Sequence, residues 1–474
     1  MRAGPRRLTQ RGDARRRAAR RLHACRRQPP LASRGAARDR RRDPAQGSAA
    51  APPRSPGSRS PAARRGSRGL VCLDPGLHLA DPAGRAGSLP AAICRLPDRA
   101  RDRSAREGAI QDNAAVTDAY AAAGVDTVRA DLGVGALVEV LRGIDPGRVP
   151  LAIPLAGHFA SVLRIAPGLG IALATDSVGS KVIVAEQAGR FDTIGIDCVA
   201  MNVNDLICVG AEPLALLDYV AVERAEEEQL RELALGLRAG AELAGVEIPG
   251  GEVCQLPEVI RGHPSPRGFD LVGSAFGTVA LERIVDGSEC RPGDALIGLP
   301  SSGVHANGVT LARRALLQAG GLSLDAAPDE LGGRTVADEL LRPTTIYVRA
   351  ILELLRSGTP VHGLAHITGG GLLNLLRIGA GIGYEICEPL SPAPVFELIA
   401  RLGEVSAAEM WEVFNMGCGF CAIVPPDCAA AAVELLGRHH PGTAVVGRLT
   451  DHAGRLSVPA LALEGDRSGL RLAP

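Results

Sequence analysis

The chain of 474 residues carries 53 Lys plus Arg against 52 Asp plus Glu, a formal charge of +1, with 46% hydrophobic and only 3% aromatic residues. This fits a soluble globular protein with an aliphatic core and about two to four domains, and makes no overall electrostatic case for nucleic acid or a membrane surface. No apolar run reaches the roughly 18 residues of a bilayer span, and 11 cysteines in so long a chain are no disulfide scaffold.

Roughly half of the arginines precede residue 110, so the remainder is acidic, which argues against sequence-independent nucleic-acid binding by the folded part. Residues 1–110 are an Arg/Pro/Ala-rich stretch without apolar periodicity. They are expected to be a disordered extension or a spurious upstream translation, because such a composition buries too little surface to offset chain entropy. The basic start lacks the apolar stretch of a secretory signal, and the expected location is the reduced cytoplasm.

Ordered text begins near Asp118. GLGIALATDS (168–177) and PLALLDYVAV (213–222) read as buried strands, and FDLVGSAFGTVALERI (269–284) alternates like a strand. The segment 226–246 has acids in its first turn and leucines at 230, 233, 235, 237 and 243, as an amphipathic helix would. A turn cluster at 289–292 separates two runs of mixed text, giving expected domains at 118–288 and 289–460. In the second, 291–317 reads turn, strand, Gly/Ser loop, helix, and TGGGLLNLLRIG (368–379) repeats that grammar before the strand candidate GYEIC. Long mixed connections rather than regular βαβ alternation give an α+β class. Cys418-Gly-Phe-Cys421 lacks the second ligand pair of a zinc site and reads as buried thiols.

Three clusters carry candidate chemistry. Lys181 is the single lysine of the chain, in Asp176-Ser-Val-Gly179-Ser-Lys181 at the end of a predicted strand. An acid there can coordinate Mg²⁺, Gly179 lets backbone N–H groups approach phosphate, and Lys181 supplies a compact charge where the planar fork of arginine fits poorly. The stretch Asp197 to Asp205 includes Asn202 and Asn204, a polar density that is costly to bury unless paired or metal-bound; on a helix Asp197 and Asp205 share a face. Asp176, Asp197 and Asp205 together make a candidate Mg²⁺ set. Ser301-Ser-Gly-Val-His305-Ala-Asn307-Gly308 places His305 between a strand and a helix, where it can move a proton or be structural. Gly369, Gly370 and Gly371 open a predicted helix whose N–H groups suit an anion.

Seven motifs in order, from about Tyr120 to about Thr450, resemble the phosphoribosylformylglycinamidine cyclo-ligase (aminoimidazole ribonucleotide synthetase) family. They are TDSVGSK (175–181), FDTIGIDCVAMNVNDLICVGAEPLALLDY (191–219), GGEVCQLP (250–257), GLPSSGVHANG (298–308), LLRPTTIYV (340–348), HITGGG (366–371) and FNMGCG (414–419). The resemblance implies a two-domain ATP-binding synthetase fold. In that fold the amino-terminal domain gives strands to a β-barrel shared by a homodimer, and the carboxy-terminal domain is an α/β sandwich. It also implies ATP and Mg²⁺, and ring closure of formylglycinamidine ribonucleotide to aminoimidazole ribonucleotide with release of ADP and phosphate.

By matched position, the resemblance makes Asp176 and Asp205 metal or phosphate ligands, Asp197 a supporting acid, and Lys181 a neutraliser of phosphate charge. It puts His305 and Asn307 near the substrate, Asn204, Gly250, Gly251 and Glu252 among the nucleotide contacts, and Gly369 to Gly371 in a phosphate loop. Four positions depart from the family. Ser177 replaces a glycine, a cost of about 1 kcal/mol if that backbone needs positive φ. Ala121 replaces a lysine, Val253 a threonine, and a Gly-rich segment is reduced to AGHFAS (156–161). The same fold serves thiamine-monophosphate kinase, selenophosphate synthetase and a hydrogenase-maturation dehydratase, which lack the SSGxHxNG and LLxPTxIYV combination. A catalytically silent dimeric binding protein is the reading from another class.

Overall fold

The computed structural model describes residues 119–473 apart from 126 and 156, so the extension expected over 1–110 lies outside the described residues. Helices α1 (Ala119–Ala122) and α2 (Thr127–Leu141) precede a six-stranded sheet. Its strands are β1 (Ala152–Ile153), β2 (Ser161–Ala166), β3 (Leu169–Ser177), β4 (Glu212–Val222), β5 (Glu247–Gln255) and β6 (Phe269–Ala280). They run in the order β1-β2-β3-β6-β4-β5, antiparallel except for the parallel β4–β5 pair. β6 follows the expected alternation along its whole length: Phe269, Leu271, Gly273 and Ala275 are buried, and Asp270, Val272 and Ser274 between them are half-exposed.

Three helices complete this half: α3 (Lys181–Ala188), α4 (Ile194–Cys208) and α5 (Glu227–Ala244). α4 buries all but Ile196 and Asp205, because it packs on β3 and β6 of the first sheet, on the strand Gly363–His366 of the second and on α5. A helix buried on every side needs no amphipathic stripe, which is why apolar residues occur all round it and its few polar ones must find partners inside the protein. Its approach to α5 is fixed by glycine. A Cβ on Gly195 would sit 2.1 Å from the Leu237 backbone nitrogen, and one on Gly236 2.3 Å from the Asp192 carbonyl oxygen. The stripe of α5 therefore differs from the leucine pattern expected of it. Leu233, Gly236, Leu237 and Gly240 face inward, while Leu235 and Leu243 are exposed.

The second sheet comprises β7 (Ala295–Pro300), β8 (Gly363–His366), β9 (Gly383–Ile386), β10 (Cys418–Val424), β11 (Ala444–Thr450), β12 (Leu456–Val458), β13 (Leu463–Asp466) and β14 (Gly469–Leu472). Their order is β14-β13-β12-β9-β11-β7-β10-β8, and only β12–β9 is parallel. β10 is buried at every residue, and Cys418 and Cys421 lie within it with sulfurs 3.5 Å apart. The helix expected to open at the glycine triplet is instead a seven-residue 3₁₀ turn, Gly371–Arg377. Asn374 Nδ2 donates to the carbonyls of Gly369 (3.1 Å) and Gly371 (3.0 Å), tightening the turn in competition with α-helical bonding.

Candidate functional site

The polar residues of α4 are legible once its burial is known, since each buried polar group needs a partner. Lys181, at the start of α3, and Asp197, in the first turn of α4, are both fully buried. Lys181 Nζ donates to Asp197 Oδ1 at 3.0 Å and to the Arg342 carbonyl at 2.6 Å. It also lies 2.8 Å from Asp197 Oδ2, which receives no aligned donor, so that second contact is electrostatic only. Asp197 Oδ1 additionally accepts from Thr344 N (2.7 Å) and Thr344 Oγ1 (2.6 Å). Burial pulls the Lys181 ammonium below the usual lysine range, and Asp197 opposes that pull.

About two turns further along, Asn204 Oδ1 accepts from Tyr347 N at 3.0 Å and its Nδ2 donates to the Thr345 carbonyl at 2.9 Å. The segment 342–347 is thus held by α3 through Lys181 and by α4 through Asp197 and Asn204. Asn202 Nδ2 donates to the Asp176 carbonyl at 3.2 Å, tying the end of β3 to the same helix.

The water-facing part of the cluster is Asp176 and Asp205. Asp205 is the one polar residue of α4 that emerges, with its side chain 21% exposed, and His366 Nδ1 holds its Oδ1 at 2.9 Å. His366 is fully buried at the end of β8, and its Nε2 lies 3.4 Å from Asn204 Nδ2. Asp176 is the penultimate residue of β3, and its Oδ1 accepts from the next backbone N–H, Ser177, at 2.8 Å. Burial, reinforced by the like charge of Asp205, raises the Asp176 carboxyl above the usual carboxylate range. Two partly exposed carboxylates that repel one another are a donor set suited to a divalent cation, and Mg²⁺ held by one or two carboxylates completes its shell with phosphate oxygens and water. That chemistry fits Asp176 and Asp205. It does not fit the three-acid set expected from sequence, because Asp197 is committed to Lys181 and Thr344. Among the described residues no three His, Cys, Asp or Glu side chains are grouped to hold a metal.

Other sequence-based expectations fall differently. His305 is buried at φ +63°, and its Nε2 accepts from Ser302 N (3.1 Å) and Thr345 N (3.4 Å). Burial, then the nearby His366, Lys181 and Arg342, push this imidazole well below its ordinary value. It is a neutral brace of the loop, not the proton carrier near pH 7 that its sequence position allowed. Lys181, likewise, has its ammonium engaged inside the protein rather than facing solvent.

Asn307 lies beside Met201 of α4, with Nδ2 3.7 Å from the sulfur, and beside Gly369, where an added Cβ would come 3.3 Å from Asn307 Oδ1. Gly369 and Gly370 expose their backbone, whereas Gly371 is explained by packing, since a Cβ there would meet the Trp411 carbonyl at 2.0 Å. Gly179 has φ +67°, as a tight turn after β3 requires.

Gly250, Gly251 and Glu252 are not brought to this cluster. They lie on β5, three strands from β3, about 14 Å across the sheet, where Gly251 pairs with Asp218 and Glu252 with Tyr219. Ser177 ends β3 in register with Val272 and is not among the described residues of positive φ, so the strain expected of it does not arise. Sequence reading missed His366, Thr344 and Asn415. Asn415 accepts from Ser301 Oγ (2.8 Å) and donates to the Gly303 carbonyl (2.8 Å), fixing the loop that carries His305. A crevice of about 510 Å³ between α5 and β4–β5, lined by Asp218 and Arg238, lies apart from all of this.

Comparison with known proteins agrees with this architecture in both halves. Residues 157–279 match the family described as AIR synthase related protein, N-terminal domain, and residues 291–458 its C-terminal domain. A phosphoribosylformylglycinamidine cyclo-ligase of Methanothermobacter thermautotrophicus is 46% identical over 345 residues, 72% of this chain and 97% of that protein. The protein of the same name from Thermococcus gammatolerans is 46% identical over 338 residues (71% and 96%), and that of Methanosarcina acetivorans 41% over 339 (71% and 96%). The chain belongs to the phosphoribosylformylglycinamidine cyclo-ligase family, within the AIR synthase related proteins.

Proposed function

We propose that this chain catalyses ATP-dependent ring closure of formylglycinamidine ribonucleotide to aminoimidazole ribonucleotide, releasing ADP and phosphate. The observation that carries the reading is similarity to cyclo-ligases over nearly their whole length, 97% for the Methanothermobacter protein. In this reaction the formyl amide oxygen takes the γ-phosphoryl group of ATP and becomes a leaving group. The amidine-side nitrogen then attacks the same carbon, closing the five-membered ring as phosphate departs.

Asp176 and Asp205 would hold Mg²⁺, which would supply charge neutralisation for the phosphates. His366 keeps the Asp205 carboxylate aimed at that position, and the exposed backbone of Gly369 and Gly370, beside Asn307, offers N–H groups to a phosphate. Lys181 and Asp197 act behind them by holding segment 342–347 in place. Domains at 118–288 and 289–460, and a cytoplasmic location, complete the proposal; no described helix is long and apolar enough to cross a membrane.

The chain works as a homodimer in this reading. The sheet face opposite α4 leaves Leu217 (40%) and Tyr219 (38%) exposed beside the half-buried Phe276, an apolar surface that a second copy would cover. Release of ADP dependent on formylglycinamidine ribonucleotide tests the reaction. ADP formed with thiamine monophosphate instead would favour the kinase reading, and no substrate-dependent ADP the silent one. Light scattering of the purified chain at twice the monomer mass tests the dimer, and a monomer at micromolar concentration would refute it.

A further inference from the structure

Arg377 closes the 3₁₀ turn that follows the glycine triplet, and it does not reach toward an acid. Its Nε donates to the Gly157 carbonyl at 2.8 Å and its Nη2 to the His158 carbonyl at 2.9 Å. Its Nη1 donates to Asn374 Oδ1 at 3.3 Å, and the guanidinium carbon sits 4.1 Å from the centroid of the buried Phe159 ring. The side chain lies at the surface, yet its charged end is engaged on three sides. Asn374, its partner, is the residue that grips the carbonyls of Gly369 and Gly371.

A continuous path of contacts therefore runs from the Gly157–Phe159 turn, through Arg377 and Asn374, into the glycine turn beside Asn307. Burial pulls the Arg377 guanidinium below its ordinary range, and the nearby Asp205 carboxylate opposes that pull. The Gly157–Phe159 turn offers a carbonyl pair and a π face, the two surfaces to which a planar fork binds.

We propose that Arg377 is a positioning residue that sets the spacing between the Gly157–Phe159 turn and the Gly369–Gly371 turn, so that the two form one rigid wall beside Asp205. Lysine can keep the charge but cannot donate to two neighbouring carbonyls while stacking on a ring. The kinetic part of the test rests on the proposed cyclo-ligase reaction; the exchange part does not.

Arg377→Lys and Arg377→Met are compared with the parent by hydrogen exchange of the 157–164 peptide and by steady-state kinetics. Amide exchange in 157–164 should accelerate about tenfold in Arg377→Met while peptides of α4 remain unchanged. KM for ATP or the ribonucleotide should rise about tenfold, with kcat within about threefold, and Arg377→Lys should fall between. Phe159→Leu, which keeps the guanidinium and removes the ring, serves as the second variant should Arg377→Met not fold, and should show the same pattern more weakly. Unchanged exchange at 157–164 in a folded variant overturns the proposal whether or not the enzyme assay gives ADP. Faster exchange with both KM values within twofold of the parent overturns it as well, since the turn would then be free of any bearing on the site.

Discussion

Removing the ammonium of Lys181 separates two accounts of that residue. In one it meets phosphate; in the other it neutralises a carboxylate inside the fold. Both Lys181 and Asp197 have no exposed surface, with Nζ 2.8 Å and 3.0 Å from the two carboxylate oxygens. Deleting one partner of such a pair strands the other as an uncompensated buried charge, at about 3–5 kcal/mol. For a protein of this size that is a fall in Tm on the order of 5–10 °C. Lys181→Met should show this loss. Asp197→Asn keeps an acceptor for Thr344 N and Oγ1 but carries no charge, so Lys181→Met/Asp197→Asn should recover about half of it or more. The coupling energy of the cycle would then be about 1–3 kcal/mol. Lys181→Arg should lose about 1–3 kcal/mol, because a longer fork must fit a fully enclosed slot. Differential scanning calorimetry of the four proteins measures these terms. A Lys181→Met protein that melts within about 1 °C of the parent yet has lost turnover would refute the buried-pair reasoning and return the ammonium to the phosphate.

Three further outcomes are expected. Ser177→Gly, the family-like residue, should not stabilise the protein and should cost up to about 1 kcal/mol, because the position is the last of a strand and not a left-handed turn; a gain in Tm would contradict this. His366→Gln should raise the Mg²⁺ concentration needed for half-maximal ADP formation by about 10–100-fold with a smaller change in saturated kcat, since His366 orients Asp205 without facing solvent; an unchanged Mg²⁺ requirement would separate His366 from the metal. His158 is held down at about 4 by burial and by Arg377, and His440 also at about 4 by burial and by His439. Both folded values lie below the ordinary 6.5, so the unfolded chain binds protons first. Their contribution is complete above about pH 6.5 and is lost as pH falls toward 4, by at most about 3 kcal/mol for His158. Urea melts at pH 7 and pH 5 should show this slope, and His158→Gln should reduce it; an identical slope would exclude His158 as its source.

What sequence made legible was local. The alternation of β6, the acid-rich start of α5 and the strand-loop-helix order around 291–317 all follow from periodicity and turn chemistry, which act over a few residues. The pairing of Asp197 with Lys181 and Thr344 was not legible, because it joins positions 16 and 147 residues apart. His366 was missed for the same reason: HITGGG drew attention to its glycines, while the histidine gains meaning only when β8 is laid against α4. Asp197 and Asp205 were correctly expected on one helix, but a helix face says nothing about which of two acids reaches water. Gly371 shows the converse error, where a glycine read as a ligand contact is required by the Trp411 carbonyl behind it.

The survival of one lysine in an arginine-rich chain has a physical answer in this arrangement. An ammonium donates from a single point and needs acceptors gathered within one small sphere; Asp197 and the carbonyl of Arg342 provide that sphere. A guanidinium spreads five donors over a plane and would leave several of them unpaired in a space with no water. Elsewhere in the described chain basic side chains lie mostly on the surface, where either cation is solvated and exchange is nearly neutral. The constraint therefore comes from complete burial at the junction of α3, α4 and segment 342–347, and it would persist even if no phosphate ever touched the residue. What that junction gives the reaction is placement: a segment bound to Lys181, Asp197 and Asn204 cannot drift relative to α4, whose emergent end presents Asp205.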